Sequence, residues 1–133
     1  MKEVRIVSFD NRGRLVVPKI IRQSLGLTED TQLMMVADSE SKEIRITPVA
    51  FDVKQKPIKL RIKIIDAPGS LAKIASTFGE LGMSLMYGES AVLEKDKTAI
   101  WTVISPTPEV PLEEFKEKLM DEGGAIDVEI MPL

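Results

Sequence analysis

The sequence predicts an α+β protein built from two small domains. Three observations predict the two domains: the chain has 133 residues, a stretch without periodicity divides it, and its two halves differ in charge. Up to Pro57, ten Lys or Arg stand against eight Asp or Glu, a net charge of +2. From Ile58 onward, eight stand against thirteen, a net charge of −5. Such asymmetry indicates two modules with different partners.

The boundary between the predicted domains is a linker at residues 50–57. It lies in the aperiodic stretch 48–57, which has a proline at each end. The linker separates an N-terminal domain at 1–49 from a C-terminal domain at 58–133.

The composition excludes several kinds of site. The chain has no Cys and therefore no disulfide, and no His, which excludes imidazole zinc ligands, His-based triads and imidazole pH switches. No catalytic constellation stands out among the carboxylates, hydroxyls and lysines, so we expect no enzyme activity and no cofactor. No apolar run approaches the roughly 18 residues of a membrane span, and no apolar signal core follows the N-terminus. We therefore expect a cytoplasmic protein without a membrane partner.

The N-terminal domain is predicted to contain two strands, a short helix and a hairpin. Val4, Ile6 and Val7 suggest the first strand, and residues 15–17 the second. Pro18 is suited to the first position of a helix, because its missing N–H costs nothing there. Gly26 is expected to end that helix with a left-handed cap closed by Leu27. Residues 33–37 and 44–46 flank a polar stretch and predict the hairpin.

The size of this domain has a consequence for assembly. About fifty residues bury too little surface to be stable alone, and such domains usually need disulfides, a metal or a partner chain. Because the composition excludes the first two, we expect a homodimer or a higher homo-oligomer.

The stretch DNRGRLVVPKIIRQSLGL, residues 10–27, resembles the AbrB/MazE swapped-hairpin family. The shared pattern is Asp, two variable residues, Gly-Arg, an aliphatic run, Pro, a short helix that ends in Arg, and Leu-Gly. The resemblance covers residues 1–49. It implies a dimeric module in which two chains interleave their hairpins into one small β-barrel and bind double-stranded DNA.

Arginines of the loop and helix face DNA in that family, and the residues that match the motif are Arg14 and Arg22. Arg5, Arg12 and Lys19 are expected to add to this surface, since Val7 and Gln23 stand where some relatives carry arginine. The planar fork of arginine can bind a phosphate or a guanine edge with two hydrogen bonds. The alternative is a solvated basic face in which Arg14 merely bridges to Asp10.

The C-terminal domain is predicted to have the order βαββαβ. In its first strand, Leu60, Ile62 and Ile64 alternate with Lys59, Arg61 and Lys63. The first helix has an apolar face of Leu71, Ile74, Ala75, Phe78 and Leu81 and is ended by Gly82, and two strands follow at 85–93 and 98–104. The second helix is opened by Pro111, turns Leu112, Phe115 and Leu119 inward and is closed by Gly123 and Gly124, and the last strand is at 126–130.

This order is that of a ferredoxin-like arrangement, in which the first and last strands are neighbours. The basic residues Lys59, Arg61 and Lys63 are therefore predicted to form a cross-strand charge ladder with Asp127 and Glu129. We prefer this interpretation to a second nucleic-acid surface.

The turn Asp-Ala-Pro-Gly-Ser-Leu at 66–71, followed by AKIASTFGELGMSL, is similar to the ACT domain, a regulatory module that commonly binds amino acids between paired copies. The resemblance covers residues 58–133. It implies that the ligand-binding residues are Asp66, Gly69, Ser70, Leu71 and Ser84. Asp66 could bind an ammonium group or could equally cap the helix that begins near Ser70.

Together the two resemblances imply a DNA-binding transcription regulator whose ACT domain senses a small metabolite, plausibly an amino acid. A different class of protein is the alternative: a regulatory subunit that does not bind DNA and docks on a metabolic enzyme. An antitoxin is less favoured, because the chain continues into a second patterned domain.

Overall fold

The computed structural model of the chain describes residues 2–49 and 56–133. The chain divides into two compact units, residues 1–50 and 51–133. Of the linker predicted at 50–57, residues 50–55 lie outside the described residues. Pro57, the last residue of that predicted linker, is instead the first residue of a strand. A proline is tolerated there because the first residue of a strand does not need to donate to the ladder.

The N-terminal unit contains helix α1 (Lys19–Ser24), strand β1 (Gln32–Asp38) and strand β2 (Glu43–Val49). Pro18 is the N-cap of α1 and so precedes the helix by one residue. The helix ends as predicted at Gly26, whose φ is +66°. The N–H of Leu27 donates to the carbonyl of Arg22 at 2.8 Å and that of Gly26 to the carbonyl of Gln23 at 3.2 Å. These two bonds are those of a Schellman cap.

The predicted hairpin is present, with β1 and β2 antiparallel and Asp38 opposite Glu43. The Asp38 carboxylate organises the connecting turn by accepting the backbone N–H groups of Glu40 at 2.9 Å and Ser41 at 3.2 Å. These bonds lower the pKa of Asp38 below its usual 3.8, and the bond from Ser41 contributes most to the lowering.

The two strands predicted before α1, at Val4 to Val7 and at 15–17, are not formed in the single chain, since residues 2–18 contain no strand. A strand requires a ladder partner for its N–H and C=O groups, and the described part of this chain supplies none to these segments. The two-stranded sheet of this unit is not closed into a barrel within the described residues.

The described part of the C-terminal unit, residues 56–133, has six elements in the predicted order βαββαβ. They are β3 (Pro57–Ile65), α2 (Ser70–Glu80), β4 (Tyr87–Glu94), β5 (Thr98–Pro106), α3 (Leu112–Asp121) and β6 (Asp127–Pro132). The four strands form an antiparallel sheet in the order β4-β5-β3-β6. The first and last strands of the unit are therefore neighbours, as predicted.

The core of this unit lies between one face of the sheet and the two helices. Phe78 of α2 makes edge-to-face contacts with Trp101 of β5 and Phe115 of α3, at centroid distances of 5.8 and 5.7 Å. The buried side chains Leu60, Ile62 and Ile64 of β3 follow the alternation read from the sequence. In β5, by contrast, Val103, Ile104 and Ser105 are buried in succession.

Four sequence predictions in this unit are wrong at the ends of its elements. Leu112, predicted to face inward, is the first residue of α3 and is 44% exposed. Leu71, at the first turn of α2, is 40% exposed. Both residues lie in the first turn of their helix, where helical spacing alone overstates burial. Strand β4 begins at Tyr87 instead of residue 85, and β6 at Asp127 instead of residue 126.

The strand register predicted for the charge ladder is confirmed, but the facing side chains form no ion pair within the described part of the chain. Arg61 stands opposite Glu129 and Lys63 opposite Asp127 across the pair of β3 and β6. The third basic residue, Lys59, stands opposite Met131 and takes no part in the ladder.

In the described part of the chain, no helix is long and apolar enough to cross a bilayer.

Candidate DNA-binding surface and effector sites

The first candidate site is a closed turn at residues 10–14. Its backbone is closed by two hydrogen bonds, from Asp10 N–H to the Arg14 carbonyl at 2.9 Å and from Gly13 N–H to the Asp10 carbonyl at 3.1 Å. Gly13 has a φ of +74°, which explains why the motif places a glycine before Arg14. Arg12 and Arg14 are both exposed on this turn.

Arg14 bridges to Asp10, as the alternative interpretation expected. Its Nε donates to Asp10 Oδ2 at 2.6 Å, and its side chain is 67% exposed. The backbone N–H groups of Arg12 and Arg14 donate to Asp10 Oδ1. These bonds lower the pKa of Asp10, and those from Arg14 contribute most to the lowering. A guanidinium has five N–H donors, so one bridge does not prevent Arg14 from binding a further ligand.

Helix α1 carries two further cations of the predicted surface, Lys19 at its first position and Arg22 in its last turn. Both are exposed. The Nη1 group of Arg22 donates to the carbonyl of Val17 at 2.6 Å, which ties the end of the helix to the segment before it. The guanidinium is thereby held close to the chain, with its other N–H donors unengaged within the described residues.

Arg5 lies in the segment before the turn. Its Nη1 contacts the Glu3 carboxylate at 3.2 Å and donates to the carbonyl of Val4 at 2.9 Å. Of the five predicted DNA-contacting residues, the structure thus places two on the 10–14 turn, two on α1 and one on the segment before the turn. All five are exposed.

The second candidate site is the turn between β3 and α2. Asp66 accepts the N–H of Asp96 at Oδ2, 2.7 Å away, and donates its own N–H to the Lys97 carbonyl at 3.1 Å. Its carboxylate therefore fastens the turn between β4 and β5. The proposal that Asp66 caps α2 is wrong, because the N-cap is Gly69 and no side chain bonds to that helix end.

Gly69 has a φ of +86°, a conformation that favours glycine, and a Cβ built there would meet no atom within 4 Å among the described residues. Ser70 N–H donates to the Ala67 carbonyl at 3.2 Å, and Lys73 N–H to the Gly69 carbonyl at 3.0 Å. Between them, the N–H groups of Leu71 and Ala72 have no acceptor within the described residues. Such a helix start can hold a carboxylate.

Ser84 lies at the opposite end of α2, in the loop that leads to β4. Since α2 has eleven residues, the two ends are separated by about 16 Å at 1.5 Å per residue. Within one chain, the structure therefore does not bring Ser84 together with Asp66, Gly69, Ser70 and Leu71. The predicted ligand-binding residues form two groups.

Ser84 lines a cleft of about 310 Å³ between the α2–β4 loop and the segment that follows β5. Thr107 and Glu109 also line it, and sequence reasoning missed both. The prolines at 106, 108 and 111 were a usable signal, because they mark an ordered loop at this end of the sheet. Thr107 also binds the carbonyl of Lys56 through its hydroxyl and its N–H.

Comparisons with known proteins leave both resemblances resting on motifs. No protein-family model matches the chain, and no curated protein sequence matches it. Among solved structures, the C-terminal domain of the MgtC protein from Mycobacterium tuberculosis is similar, with 15% sequence identity and a TM-score of 0.48. The similarity covers 63% of this chain and 94% of that one.

Proposed function

We propose that this protein is a DNA-binding transcription regulator that acts as a dimer or higher homo-oligomer and whose C-terminal unit is an ACT-like sensor of a small metabolite. The observation that carries the DNA-binding part is the placement of exposed cations. Arg12 and Arg14 lie on a closed turn, and Lys19 and Arg22 on a capped helix. Rigid elements that carry exposed arginines are suited to phosphate and base contacts.

The proposed dimer is supported by burial. None of the residues 2–49 is buried in the single chain. Apolar side chains are exposed on every segment of the N-terminal unit, among them Val4, Ile6, Val16, Leu33, Met35 and Ile44. A second copy would cover these side chains and supply ladder partners to the two unpaired segments before α1. Two-fold symmetry would also present each arginine twice.

The proposed effector is an amino acid or a molecule of similar size. Its carboxylate would bind the N–H groups at the start of α2, and its ammonium group would bind Asp66 or Glu109. Because the two ends of α2 are about 16 Å apart, one small ligand can contact both groups only when two C-terminal units pair in opposite directions. The proposed site is therefore shared by the Asp66 turn of one copy and the Ser84 loop of another.

The test of DNA binding begins with a duplex selected from a random-sequence pool by the full-length protein. Anisotropy should then show an affinity that falls steeply between about 50 and 200 mM salt. Arg14→Ala and Arg22→Ala should each weaken binding by about 1–3 kcal/mol where they grip a base edge. Arg45→Ala removes the same charge from exposed strand β2 and is the matched control, with a small effect expected.

Two outcomes would contradict the proposal. Salt-dependent binding that both arginine variants retain at full strength would remove these residues from the site. No selected duplex and no salt-dependent binding by the wild type would favour the alternative, a regulatory subunit that docks on a metabolic enzyme.

A further inference from the structure

Among the described residues, three arginines of the N-terminal unit make side-chain contacts, and they do so in two different ways. Arg5 and Arg22 use a terminal nitrogen, Nη1, on a neighbouring oxygen. Arg14 uses Nε, the nitrogen nearest its aliphatic stem, on Asp10. Within the described residues, both terminal nitrogens of Arg14 are therefore left without a protein acceptor, and these two nitrogens form the fork that binds phosphate or guanine.

Asp10 holds Arg14 at both ends of its side chain. Oδ1 of Asp10 accepts the Arg14 backbone N–H at 2.9 Å, and Oδ2 accepts Nε at 2.6 Å. The same Oδ1 accepts the N–H of Arg12 at 2.8 Å, and the backbone closes the turn between Asp10 and Arg14. The root and the guanidinium of Arg14 are thus fixed to one carboxylate, while its fork is exposed.

We propose that Asp10 is a positioning residue for DNA binding, one that orders the guanidinium of Arg14 with its fork directed away from the turn. The inference rests on the proposed function. An arginine side chain loses considerable rotamer freedom when it is immobilised at an interface. Asp10 imposes that loss before DNA arrives, so less binding free energy is spent on ordering Arg14.

This role has an effect opposite in sign to that of charge alone. Asp10 is a carboxylate on a surface proposed to face phosphates, so its charge repels DNA. If charge were its whole effect, replacing it with a neutral residue would tighten binding. If it positions Arg14, the same replacement weakens binding although the protein becomes less negative.

The variant that separates the two effects is Asp10→Asn. Asparagine can keep the turn, because its side-chain oxygen can accept the N–H groups of Arg12 and Arg14. Its NH₂ group then faces Nε of Arg14, donor against donor, and the bridge is lost. Asp30→Asn is the matched control, since it removes an equal charge from the same unit at an exposed carboxylate without an arginine partner in the described residues.

On the selected duplex, we expect Asp10→Asn to lower the affinity of the full-length protein by about five- to ten-fold, part of what a bidentate arginine contact supplies. Asp30→Asn should leave it unchanged or raise it slightly. In an Arg14→Ala background, Asp10→Asn should no longer weaken binding and should raise the affinity, because only its charge effect remains. A general disruption of the turn would weaken binding in both backgrounds.

Three results would overturn the inference. The first is a rise in affinity for Asp10→Asn in the wild-type background. The second is an equal loss in the Arg14→Ala background. The third is an Arg14 Nε–H resonance in the free protein that Asp10→Asn leaves in place, since this signal reports the bridge without DNA. Absence of DNA binding by the wild type would instead reject the proposed function together with the role of Asp10 in it.

Discussion

Single residues of the C-terminal unit show how closely its helices are packed. A Cβ added at Gly123 would lie 2.5 Å from Ile74 Cδ1 and 2.6 Å from the Leu119 carbonyl oxygen. The backbone oxygen cannot move without disturbing the end of α3. Gly123 is therefore required for the close approach of the chain after α3 to the core.

We predict that Gly123→Ala destabilises the unit by about 1–3 kcal/mol through overpacking. Gly79, near the end of α2, is the matched control, because a Cβ there would meet nothing within 4 Å. Gly79→Ala should stabilise the helix by about 0.5–1 kcal/mol. Urea unfolding followed by the fluorescence of Trp101, the single tryptophan of the chain, measures the free energy of unfolding of both variants. Equal stability of the two variants would show that the loop at Gly123 yields without cost.

Asp38 acts at the scale of an element, the β1–β2 hairpin. Its folded pKa is lowered, so the stabilisation from the turn is present above its ordinary value of 3.8 and is lost as the pH falls through the folded pKa. We predict that the amide resonances of Glu40 and Ser41 shift together with a midpoint below 3.8. In Asp38→Asn, this inflection should vanish. A midpoint above 3.8 would mean that the two amides do not bind the carboxylate.

The elements that the sequence predicts well are those specified by local chemistry. Gly26 and Gly82 adopt a positive φ at the ends of α1 and α2, as a left-handed cap requires. The alternation of β3 matches its buried and polar faces, because a strand in contact with a core on one side fixes its own register.

The features that the sequence does not predict depend on distant residues. The partner of Asp66, the N–H of Asp96, lies thirty positions further along the chain. Ser84 and Glu109 line one cleft only because the fold brings the C-terminal ends of α2 and β5 to the same end of the sheet. The segments around Val4 and Val16 have strand-like sequences but no ladder partner in the described chain, so a local pattern cannot decide their conformation.

At the scale of the whole molecule, the first prediction concerns assembly. A fragment of residues 1–50 should fold only as a dimer or larger oligomer, because no residue of 2–49 is buried in the single chain. Sedimentation should show that the fragment self-associates. The folded fraction of the fragment, measured by circular dichroism, should fall on dilution. A folded monomer at micromolar concentration would contradict the prediction.

The second whole-molecule prediction concerns coupling between the units. An amino acid that raises the melting temperature in a screen of the proteinogenic amino acids should also change DNA affinity, with couplings typically about 1–3 kcal/mol. Gly69→Val should abolish this response and keep basal DNA binding, since a branched side chain at positive φ distorts the turn before α2.

The control for Gly69→Val is Gly124→Val, which places the same residue at a φ of +76° in the same unit, outside the predicted ligand contacts. It should lower stability and keep the response. DNA affinity with and without the stabilising amino acid, measured in both variants, shows whether the response is lost only when the substitution lies among the predicted ligand contacts. An unchanged response in Gly69→Val would place the effector elsewhere.

The absence of buried residues from the described part of the N-terminal unit, residues 2–49, has a genetic consequence. If two copies must fold together, a defective chain that still pairs will enter mixed dimers with normal chains. An allele encoding Arg14→Ala should then act dominantly when co-expressed with the normal allele, because mixed dimers present only one complete set of cations to a symmetric operator. An allele that prevents folding of this unit should be recessive, since its product cannot enter the dimer.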